Sequence, residues 1–451
     1  MKIIFKASES VLPILKRFVD KSNCTRWSQY CVQTFVDDGV LVFNLLTREF
    51  IFLTREEYTC FADVDYLKEH CFVVPQENRE KEQADFVKWV LAMRQPKPKD
   101  ITSYTIFTTT DCNARCFYCF ELGHSRIPMS CETAEKVVRY IKNHCNGKEV
   151  HINWFGGEPL YNMKAIDVIT DGLHRENIKF RSKMVTNGYL FDQEIISRAV
   201  CQWHLKRVQI TLDGTEKIYN KIKAFIYNGG SPYEIVMANI GRLLDAGIGV
   251  SIRLNMDLYN AEDLMTLAEE LAQRFAEKKG LFVYADHLFN ADKPNAELHS
   301  EAEWGKRETA MKSLEERLEK CGLLSAGGIS PQIKLNHCMA DSGKAITILP
   351  DGRIGLCEHH TEDEHIGHLD DENFDAEVIK SWKERTPEIP ECAECFYYTD
   401  CIKLKKCSSS SVCYRQYREE KLRHIQRAML HTYRNWQVGI APDVDADEFV
   451  E

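Results

Sequence analysis

The 451-residue sequence is poor in the residues that interrupt regular structure, with 23 glycines and 13 prolines. Collagen-like, low-complexity and disordered chains are rich in these residues, so the composition excludes these three classes of protein. No apolar run reaches the roughly 18 residues of a membrane-spanning helix. The formal net charge of −10 is the opposite of the basic excess of nucleic-acid-binding proteins. We therefore expect a globular protein of roughly two to four domains, with neither a membrane nor a nucleic acid as partner.

The sequence contains 18 cysteines, although a chain of this length needs no disulfides for stability. Its start, MKIIFKASES, becomes charged too early for a signal peptide, so we expect a cytoplasmic location. Cysteines in a reducing compartment serve first as metal ligands or catalytic groups. Three lie close together, at Cys112, Cys116 and Cys119, and seven lie between Cys338 and Cys413. Two separate cysteine-dependent sites are therefore predicted.

Strand-like and helix-like segments alternate between these two cysteine groups. The strand-like segments are rich in β-branched and aromatic residues and span 103–110, 150–155, 179–185, 207–212, 248–255 and 281–289. A helical pattern follows the first of them from Ser130 to Asn143, with Ser130 as its predicted N-cap. Six β/α units predict a mostly parallel sheet, either a partial barrel or a doubly wound sheet. In both folds ligands bind at the C-terminal ends of the strands, where the three-cysteine loop lies.

The chain ahead of these repeats has the pattern of a small α+β module. Short strands are predicted over 28–60, with a hairpin turn at 37–39. Helices are predicted over 61–70 and 77–94, and the proline-containing segment 95–99 is typical of a linker. The module is therefore expected to fold separately from the repeats.

The spacing Cys112-x3-Cys116-x2-Cys119 places three thiolates on one tight loop. Three ligands suit a [4Fe-4S] cluster that leaves one iron open, whereas a closed structural zinc site takes four. The spacing by itself leaves zinc as an alternative. The position directly after the first strand favours the iron cluster, because a substrate or cofactor can bind there.

The loop DCNARCFYCF resembles the signature of the radical S-adenosyl-L-methionine (SAM) enzymes, with Tyr118 as the aromatic residue before the last cysteine. The resemblance implies an α/β fold with a partial (β/α)6 TIM-like barrel. It also implies that the open iron chelates SAM, and that an electron from the cluster splits SAM into a 5′-deoxyadenosyl radical. An electron donor such as flavodoxin or ferredoxin would then be a partner.

Further motifs of this family follow in the expected order. Phe155-Gly156-Gly157-Glu158-Pro159 resembles the family motif whose backbone and glutamate hold the SAM amino group. Segments resembling those that line the ribose and the substrate contain Thr186 and Asn187 after the third strand, and Thr211 and Asp213 after the fourth. These four residues could equally be part of ordinary turns.

Two basic residues are candidates for the SAM carboxylate. Lys223 stands where many family members carry an arginine that pairs with this group, and Arg253 lies on the fifth predicted strand. Lysine offers a point charge, whereas arginine offers a fork of donors.

The second cysteine group resembles the SPASM domain, an extension of radical SAM enzymes that holds two auxiliary [4Fe-4S] clusters. The resemblance implies that Cys338, Cys357 and Cys407 hold auxiliary cluster I. The ligands that it implies for auxiliary cluster II are Cys392, Cys395, Cys401 and Cys413. Cys401 and Cys407 are separated by five residues where the family usually has three. A zinc ribbon is the alternative for the Cys392-x2-Cys395 pair.

No cysteine stands a few residues ahead of Cys338, where some family members supply a fourth ligand to cluster I. An open iron there could bind a substrate thiolate. Glu358, next to Cys357, would then lie near the substrate as a base, although an exposed glutamate in a hairpin is the simpler interpretation. Histidines at 359, 360, 365 and 368 are another possible metal group, for which a solvated loop is favoured.

The resemblance divides the chain into five parts. They are a module similar to the winged-helix recognition elements of peptide-modifying enzymes at 1–95, the barrel at 100–305, a bridging helix at 306–337, the SPASM domain at 338–425, and a C-terminal helix with an acidic tail at 426–451. Such modules bind the leader of a ribosomally made precursor peptide by strand addition. The alternative is that residues 1–95 only pack against the barrel.

The combination of domains implies a radical SAM peptide maturase. Our first hypothesis is hydrogen abstraction from a precursor peptide followed by a thioether crosslink to a cysteine. Other outcomes of the same chemistry are a carbon–carbon crosslink, epimerisation or formylglycine formation. A non-catalytic peptide-binding or metal-binding scaffold is the hypothesis from a different class.

Overall fold

The computed structural model describes residues 1–18, 24–94, 100–119, 121, 125–227, 229–275, 277–288, 301–324, 327–333, 338–359, 364–371, 373–382, 388–401, 413 and 415–440. The chain forms two compact units. The first unit comprises 1–97, 326–338 and 384–451, and the second comprises 98–325 and 339–383. In the part of the chain that the structure describes, no helix has both the length and the apolar character of a membrane span.

The N-terminal part of the first unit is an α+β module. Its strands β1 to β6 span Lys2–Phe5, Cys24–Trp27, Cys31–Val36, Gly39–Asn44, Glu49–Leu53 and Val73–Pro75. Its helices α1 to α4 span Leu12–Leu15, Arg55–Thr59, Asp65–Glu69 and Glu80–Arg94. Strands β1, β5, β4 and β3 form an antiparallel sheet in that order, and β2 pairs with β6. The predicted hairpin at 37–39 is confirmed, since Val36 pairs with Gly39.

The second unit contains the predicted β/α repeats. Strands β7 to β12 span Ser103–Thr109, Val150–Gly156, Phe180–Thr186, Leu205–Leu212, Gly249–Met256 and Leu281–His287. Helices α5 to α11 span Cys131–His144, Met163–Arg175, Gln193–Cys201, Glu216–Lys223, Pro232–Asp245, Ala261–Phe275 and Glu301–Lys320. Each strand from β7 to β12 pairs in parallel with the next, so the prediction of six parallel strands is confirmed.

Side chains alternate along these strands between the helices and the concave face of the sheet. In β10, Val208, Ile210 and Leu212 are fully buried, whereas Gln209 and Thr211 between them are only half-buried. The same period of two governs β8 and β9. Helix α5 begins at the predicted N-cap, because the Ser130 hydroxyl accepts the backbone N–H of Thr133. The apolar face therefore packs against helices, and the concave face is left to polar residues.

The rest of the second unit extends this sheet. It consists of helix α12 at Met339–Ser342, strands β13 at Ala345–Ile348, β14 at Arg353–Gly355 and β15 at His365–His368, and helix α13 at Ala376–Trp382. Strand β13 pairs in parallel with β7, and β14 and β15 follow as antiparallel neighbours. The sheet thus has nine strands among the described residues, in the order β12 to β7 and then β13, β14 and β15.

The C-terminal part of the first unit consists of short 3-10 turns at Pro390–Glu394 and Tyr398–Asp400 and the helix α14 at Arg415–Gln437. Helix α14 packs on β3, where the Gln426 side chain donates to the backbone oxygen of Gln33 at 3.0 Å. The buried core that the module builds on β4 and β5 also contains side chains of this C-terminal part, among them Tyr398 and Met429. The segment predicted as a linker, 95–99, lies outside the described residues.

Candidate active site

The three-cysteine loop follows β7 directly, at the C-terminal edge of the parallel sheet. Burial, the carboxylate of Glu158 and the thiols of Cys116 and Cys119 together raise the pKa of Cys112 to about 12. The three thiols therefore lie near enough to act on one another. Three thiols on one loop fit a [4Fe-4S] cluster that leaves one iron open, whereas a closed structural zinc site takes four ligands.

Two glycines let the end of β8 pack against the entry to this loop. A Cβ on Gly156, whose φ is +119°, would lie 2.1 Å from the Thr109 oxygen, and one on Gly157 would lie 2.3 Å from the Asp111 oxygen. The N–H of Gly157 donates to the Thr109 oxygen, and that of Glu158 to the Asp111 oxygen, both at 3.0 Å. Glycine is therefore required here for close contact between two backbone segments.

Glu158 is fully buried, and its carboxylate accepts hydrogen bonds from three residues. Its carboxylate lies 2.8 Å from the Thr186 hydroxyl, 2.8 Å from the N–H of Asn187 and 3.2 Å from the N–H of Leu160. Burial raises the pKa of Glu158 to about 7, and these hydrogen bonds oppose the rise. The structure thus brings together three of the predicted SAM-binding residues around one carboxylate.

Asn187 connects this carboxylate to the cysteine loop. Its amide donates to the side-chain oxygen of Asn113 at 2.6 Å and lies 3.8 Å from the Cys112 sulfur. The Asn187 side-chain oxygen accepts the N–H of Tyr189 at 3.0 Å, and the rings of Tyr189 and Tyr227 stack with centroids 4.9 Å apart. Asn113, Tyr189 and Tyr227 were not expected from the sequence, although a polar residue directly after the first loop cysteine was a visible signal.

Tyr118, Asp213 and Lys223 form a buried network behind the loop. The Tyr118 hydroxyl donates to the Asp213 carboxylate, 2.9 Å from both oxygens, and the Lys223 ammonium lies 2.9 Å from this hydroxyl and 3.0 Å from the carboxylate. Burial disfavours the charge of Lys223, but Asp213, together with smaller contributions from Tyr118, Cys116 and Tyr219, holds the pKa of Lys223 well above its usual value. The sequence predicted each of these residues near the cofactor without predicting that they bind one another.

Thr211 and Arg253 lie at the same level on the neighbouring strands β10 and β11. The guanidinium of Arg253 donates to Asp286 on β12 at 2.9 Å, and its Nε atom is buried without a partner among the described residues. Arg253 therefore retains a donor on the concave face.

Glu121 is a further site residue that sequence reasoning missed. Burial raises the pKa of its carboxyl group to about 8, and Oε1 has no hydrogen-bond partner within the described part of the chain. The available signal was an acidic residue two positions after Cys119. Phe117 of the cysteine loop and Tyr259 are exposed, with ring centroids 6.3 Å apart.

The predicted ligands of auxiliary cluster I fall into different parts of the structure. Cys338 belongs to the first unit and Cys357 to the second, and Cys407 lies outside the described residues. This ligand set stays a prediction. Strand β13 is parallel to β7 and β14 is antiparallel to β13, so β14 runs in the direction opposite to β7. The chain that follows β14 to Cys357 and Glu358 therefore runs away from the C-terminal edge of β7. The Glu358 Oε2 atom is buried without a partner among the described residues, and its role as a base stays a prediction.

The predicted ligands of auxiliary cluster II lie in the first unit. Burial raises the pKa of Cys395 to about 11, and the nearby thiols of Cys401 and Cys413 contribute to the rise. The Cys395 N–H donates to the Cys392 oxygen at 3.4 Å. Three thiols of the set are thus near one another, and the fourth is in the adjoining turn. The proximity supports the set, which stays a prediction.

The histidine group gives no comparable arrangement. His360 lies outside the described residues, and the His368 Nε2 atom is 3.0 Å from the Asp351 backbone oxygen. Within the described ranges, neither His365 nor His368 belongs to a set of convergent metal ligands.

Comparisons with known proteins agree with this geometry. Residues 106–271 match the radical SAM superfamily. The probable GTP 3′,8-cyclase of Methanococcus maripaludis strain C6 is 27% identical over 151 residues, which are 33% of this chain and 48% of that protein. The chain spans about half the length of these curated relatives, the probable GTP 3′,8-cyclases that it matches. The predicted radical SAM domain, which is an enzyme domain, is confirmed.

Solved structures resemble the chain over a greater length. Native anSMEcpe with bound AdoMet and Cp18Cys peptide aligns with a TM-score of 0.54 at 17% identity, covering 75% of this chain and 99% of that chain. Streptococcus suis SuiB bound to precursor peptide SuiA aligns with a TM-score of 0.50 at 12% identity, covering 83% and 94%. Similarity at these identities concerns the fold, and it confirms the predicted α/β partial barrel.

Proposed function

We propose that this chain, which carries a radical SAM domain, is a peptide maturase that forms a thioether crosslink in a ribosomally made precursor peptide. The observation that carries the radical chemistry is the three-cysteine loop beside the buried Glu158 carboxylate. The peptide substrate is supported by the similarity in fold to two proteins whose structures contain bound peptides.

Cys112, Cys116 and Cys119 would hold a [4Fe-4S] cluster, and Glu158 would receive the SAM ammonium. When bound, the cluster and SAM together would supply a 5′-deoxyadenosyl radical that abstracts a hydrogen atom from the peptide. Thr186 and Asn187 keep the Glu158 carboxylate in place through the hydrogen bonds that they donate to it. Arg253, with its unpartnered Nε atom, is our candidate for the SAM carboxylate.

Thioether formation removes two hydrogens from the peptide. One leaves as an atom from the attacked carbon, the other leaves as a proton from the substrate thiol, and a carbon–sulfur bond forms. One electron remains and requires an acceptor, which the predicted auxiliary clusters would supply. The cysteines proposed to hold them are Cys338, Cys357 and Cys407 for cluster I, and Cys392, Cys395, Cys401 and Cys413 for cluster II.

The N-terminal module offers an edge for the leader of such a peptide. Strand β3 is the last strand of its sheet, and the Gln33 oxygen faces away from β4 because it accepts from Gln426 of α14. The backbone oxygen of Phe35, two residues further along the strand, points to the same side as that of Gln33. The Phe35 side chain is 57% exposed. Its ring contacts Tyr58 at a centroid distance of 5.5 Å. We propose that the leader pairs with β3 and places apolar side chains near Phe35.

The test is anaerobic co-expression with the short cysteine-containing open reading frame nearest to the gene. We expect reconstituted enzyme with about twelve irons per chain, reductive cleavage of SAM by dithionite or a flavodoxin, and a peptide that loses two hydrogens and one reactive thiol per crosslink. A precursor with its cysteines changed to alanine is the matched control. An unchanged mass with a D-residue would indicate epimerisation, and tight zinc binding without SAM cleavage would contradict radical chemistry altogether.

Glu358 is proposed as the base that takes the thiol proton. We expect Glu358→Gln to lower thioether formation by at least tenfold while SAM cleavage continues. The matched control is Glu364→Gln, an exposed glutamate before β15. Equal crosslinking by both variants would remove Glu358 from the mechanism.

A further inference from the structure

We propose that Arg207 binds a carboxylate of the substrate peptide on the concave face of the barrel, a short distance from the proposed SAM site. The inference rests on the proposed function in that the substrate is a peptide. It adds the chemical class of the group that is recognised beside the attacked residue. That group is the side chain of an aspartate or glutamate, or the C-terminal carboxylate of the peptide.

Arg207 lies on the concave face of the sheet. The period of two along β10 places it on the same face as Gln209 and Thr211. Its side chain is half-buried, and its Nη1 atom donates to the Ser251 hydroxyl at 3.4 Å. Ser251 is in register with Gln209, two residues further along β10 than Arg207. The guanidinium therefore extends towards the C-terminal edge of the sheet, where the cysteine loop lies.

This position places the guanidinium within a few peptide residues of the reaction. Arg253, our candidate for the SAM carboxylate, follows Ser251 by two residues on β11, which is about 7 Å along a strand. An extended peptide covers about 3.3–3.6 Å per residue, and an acidic side chain adds its own reach. A carboxylate bound to Arg207 thus belongs to a residue about two to four positions from the attacked one.

The other arginines of the concave face differ from Arg207 in having carboxylates beside them. Arg181 on β9 lies 3.8 Å from Glu149, and Arg253 lies 2.9 Å from Asp286. Among the described residues, the polar partner of Arg207 is a single serine hydroxyl, and no carboxylate lies within ion-pair distance. Its charge is therefore left to be neutralised by a bound group.

The neighbouring strands add to the positive charge and supply an acceptor. Lys183 on β9 is directly opposite Arg207, and like charges in such positions are destabilising. Lys183 has a contact of its own, so the uncompensated member of the pair is Arg207. Asn153 on β8 is opposite Lys183, and its side-chain oxygen is buried without a partner in the described part of the chain.

A guanidinium and an amide oxygen in one row suit an acidic residue of a peptide. Arginine binds a carboxylate through two parallel hydrogen bonds. The amide oxygen of Asn153 can accept an N–H of the peptide backbone. Because the row lies in a half-buried face of the barrel, water screens the pair of charges less than it does at an exposed surface.

The experiment uses reconstituted full-length protein, SAM, dithionite and the precursor encoded nearest to the gene. Arg207→Gln removes the charge and keeps a donor for Ser251. We expect its KM for the precursor to rise at least about tenfold, with kcat and peptide-independent SAM cleavage nearly unchanged. Arg207→Lys should recover part of the loss. Lys206→Gln, at the exposed neighbour on β10, is the matched control. Equal KM values in Arg207→Gln and Lys206→Gln would overturn the proposal.

Variant peptides keep the test decisive if Arg207→Gln fails to fold, because they are assayed with the wild-type protein. Each acidic residue within four positions of the modified one is changed to its amide, and a further peptide carries a C-terminal amide. One of these changes should raise KM as Arg207→Gln does, and should have no added effect in that variant. The position of the effective change identifies the carboxylate as a side chain or the C-terminus.

Charge exchange provides the opposite test. Arg207→Glu should lose the wild-type precursor and regain a precursor in which the effective acidic residue is replaced by lysine. An unchanged KM for every amidated peptide would show that no carboxylate is recognised and would overturn the proposal. Absence of SAM cleavage by the wild-type protein would instead refute the proposed function.

Discussion

The two cysteine sites of this protein are stabilised in different ways. The loop at Cys112 is held by a buried lysine–aspartate–tyrosine network whose members all belong to the barrel. The site around Cys395 and Cys401 depends instead on a residue between its cysteines, Tyr398, which is 1% exposed. The partners of Tyr398 come largely from the N-terminal module.

The module contacts Tyr398 through helix α4. The Tyr398 hydroxyl donates to Asp85 at 2.6 Å, and the Lys81 ammonium lies 4.8 Å from the centre of its ring. The Lys81 ammonium also lies 3.0 Å from Asp85 and 2.9 Å from Glu388. These carboxylates compensate the lysine charge, whose partial burial is otherwise unfavourable. A second ion pair joins Arg48 of the module to Asp400. The residues of the first site thus all come from the continuous segment 98–325, whereas the second site is supported by residues from both ends of the chain.

The largest expected effect separates the two sites directly. Cys116→Ala should abolish SAM cleavage and remove about four of twelve irons, because the loop cannot hold a cluster with two ligands. The iron of the second group should remain, as measured by iron analysis and Mössbauer spectroscopy. Cys131→Ala, at an exposed cysteine on α5, is the control and should behave as wild type. Loss of all iron in Cys116→Ala would mean that the sites do not load independently.

The converse variant is Tyr398→Ala. Removing a fully buried aromatic side chain costs about 3–5 kcal/mol, and we expect loss of iron from the second group while SAM cleavage by the barrel persists. Tyr398→Phe removes only hydrogen bonding by the hydroxyl and should lower the free energy of unfolding of the first unit by about 1–3 kcal/mol. Chemical denaturation measures this change. Tyr397→Phe is the control, since this hydroxyl has no hydrogen-bond partner in the described ranges. A full iron content in Tyr398→Ala would contradict a supporting role for the module.

The affinity for SAM should depend on pH through Glu158, a residue of the barrel. A pKa of about 7 means that about a tenth of the carboxyl groups are ionised at pH 6 and about nine tenths at pH 8. Since the ionised form receives the SAM ammonium, affinity should rise up to tenfold over this range. Isothermal titration of SAM into reconstituted protein measures it. Glu158→Gln should bind SAM weakly at both pH values. The same pH dependence of SAM affinity in this variant as in the wild-type protein would exclude Glu158 as the titrating group.

The smallest expected effect concerns the β3 edge of the module, where Gln426 of α14 occupies the Gln33 oxygen. Gln426→Ala frees the Gln33 carbonyl, so a peptide added to β3 no longer has to displace a hydrogen bond worth about 0.5–1.5 kcal/mol. We expect a labelled leader peptide to bind about two- to tenfold more tightly by fluorescence anisotropy. Gln437→Ala, at the exposed end of α14, is the control. Weaker binding in Gln426→Ala would show that Gln426 contacts the peptide rather than competing with it.

The sequence allowed the barrel to be predicted because its signals are local. The alternation of strand and helix patterns placed all six parallel strands within a few residues of β7 to β12, and Ser130 marked the start of α5. The cysteine spacing and the Gly-Gly-Glu motif likewise identified the side of the sheet at which the site lies. In the structure the two glycines allow close approach of the backbone at Thr109 and Asp111.

What could not be predicted depends on contacts between distant parts of the chain. Lys223 and Tyr118 are 105 residues apart, and no periodicity indicates that they share a hydrogen bond. The elevated pKa of Glu121 comes from burial alone, which a single sequence does not reveal. The predicted domain bounds were also drawn as continuous segments, whereas the first unit combines residues 1–97 with 384–451.

That discontinuous unit has a consequence for the order of synthesis. Its N-terminal segment leaves the ribosome first, but part of its core, including Tyr398 and Met429, is translated only after residue 384. At translation rates of about 5–20 residues per second, this segment waits roughly 15 to 60 s for the residues that complete it. Residues 98–325 and 339–383 of the second unit are all translated within this interval. Residues 1–97 are thus expected to reach their native state after the barrel, although they are translated before it.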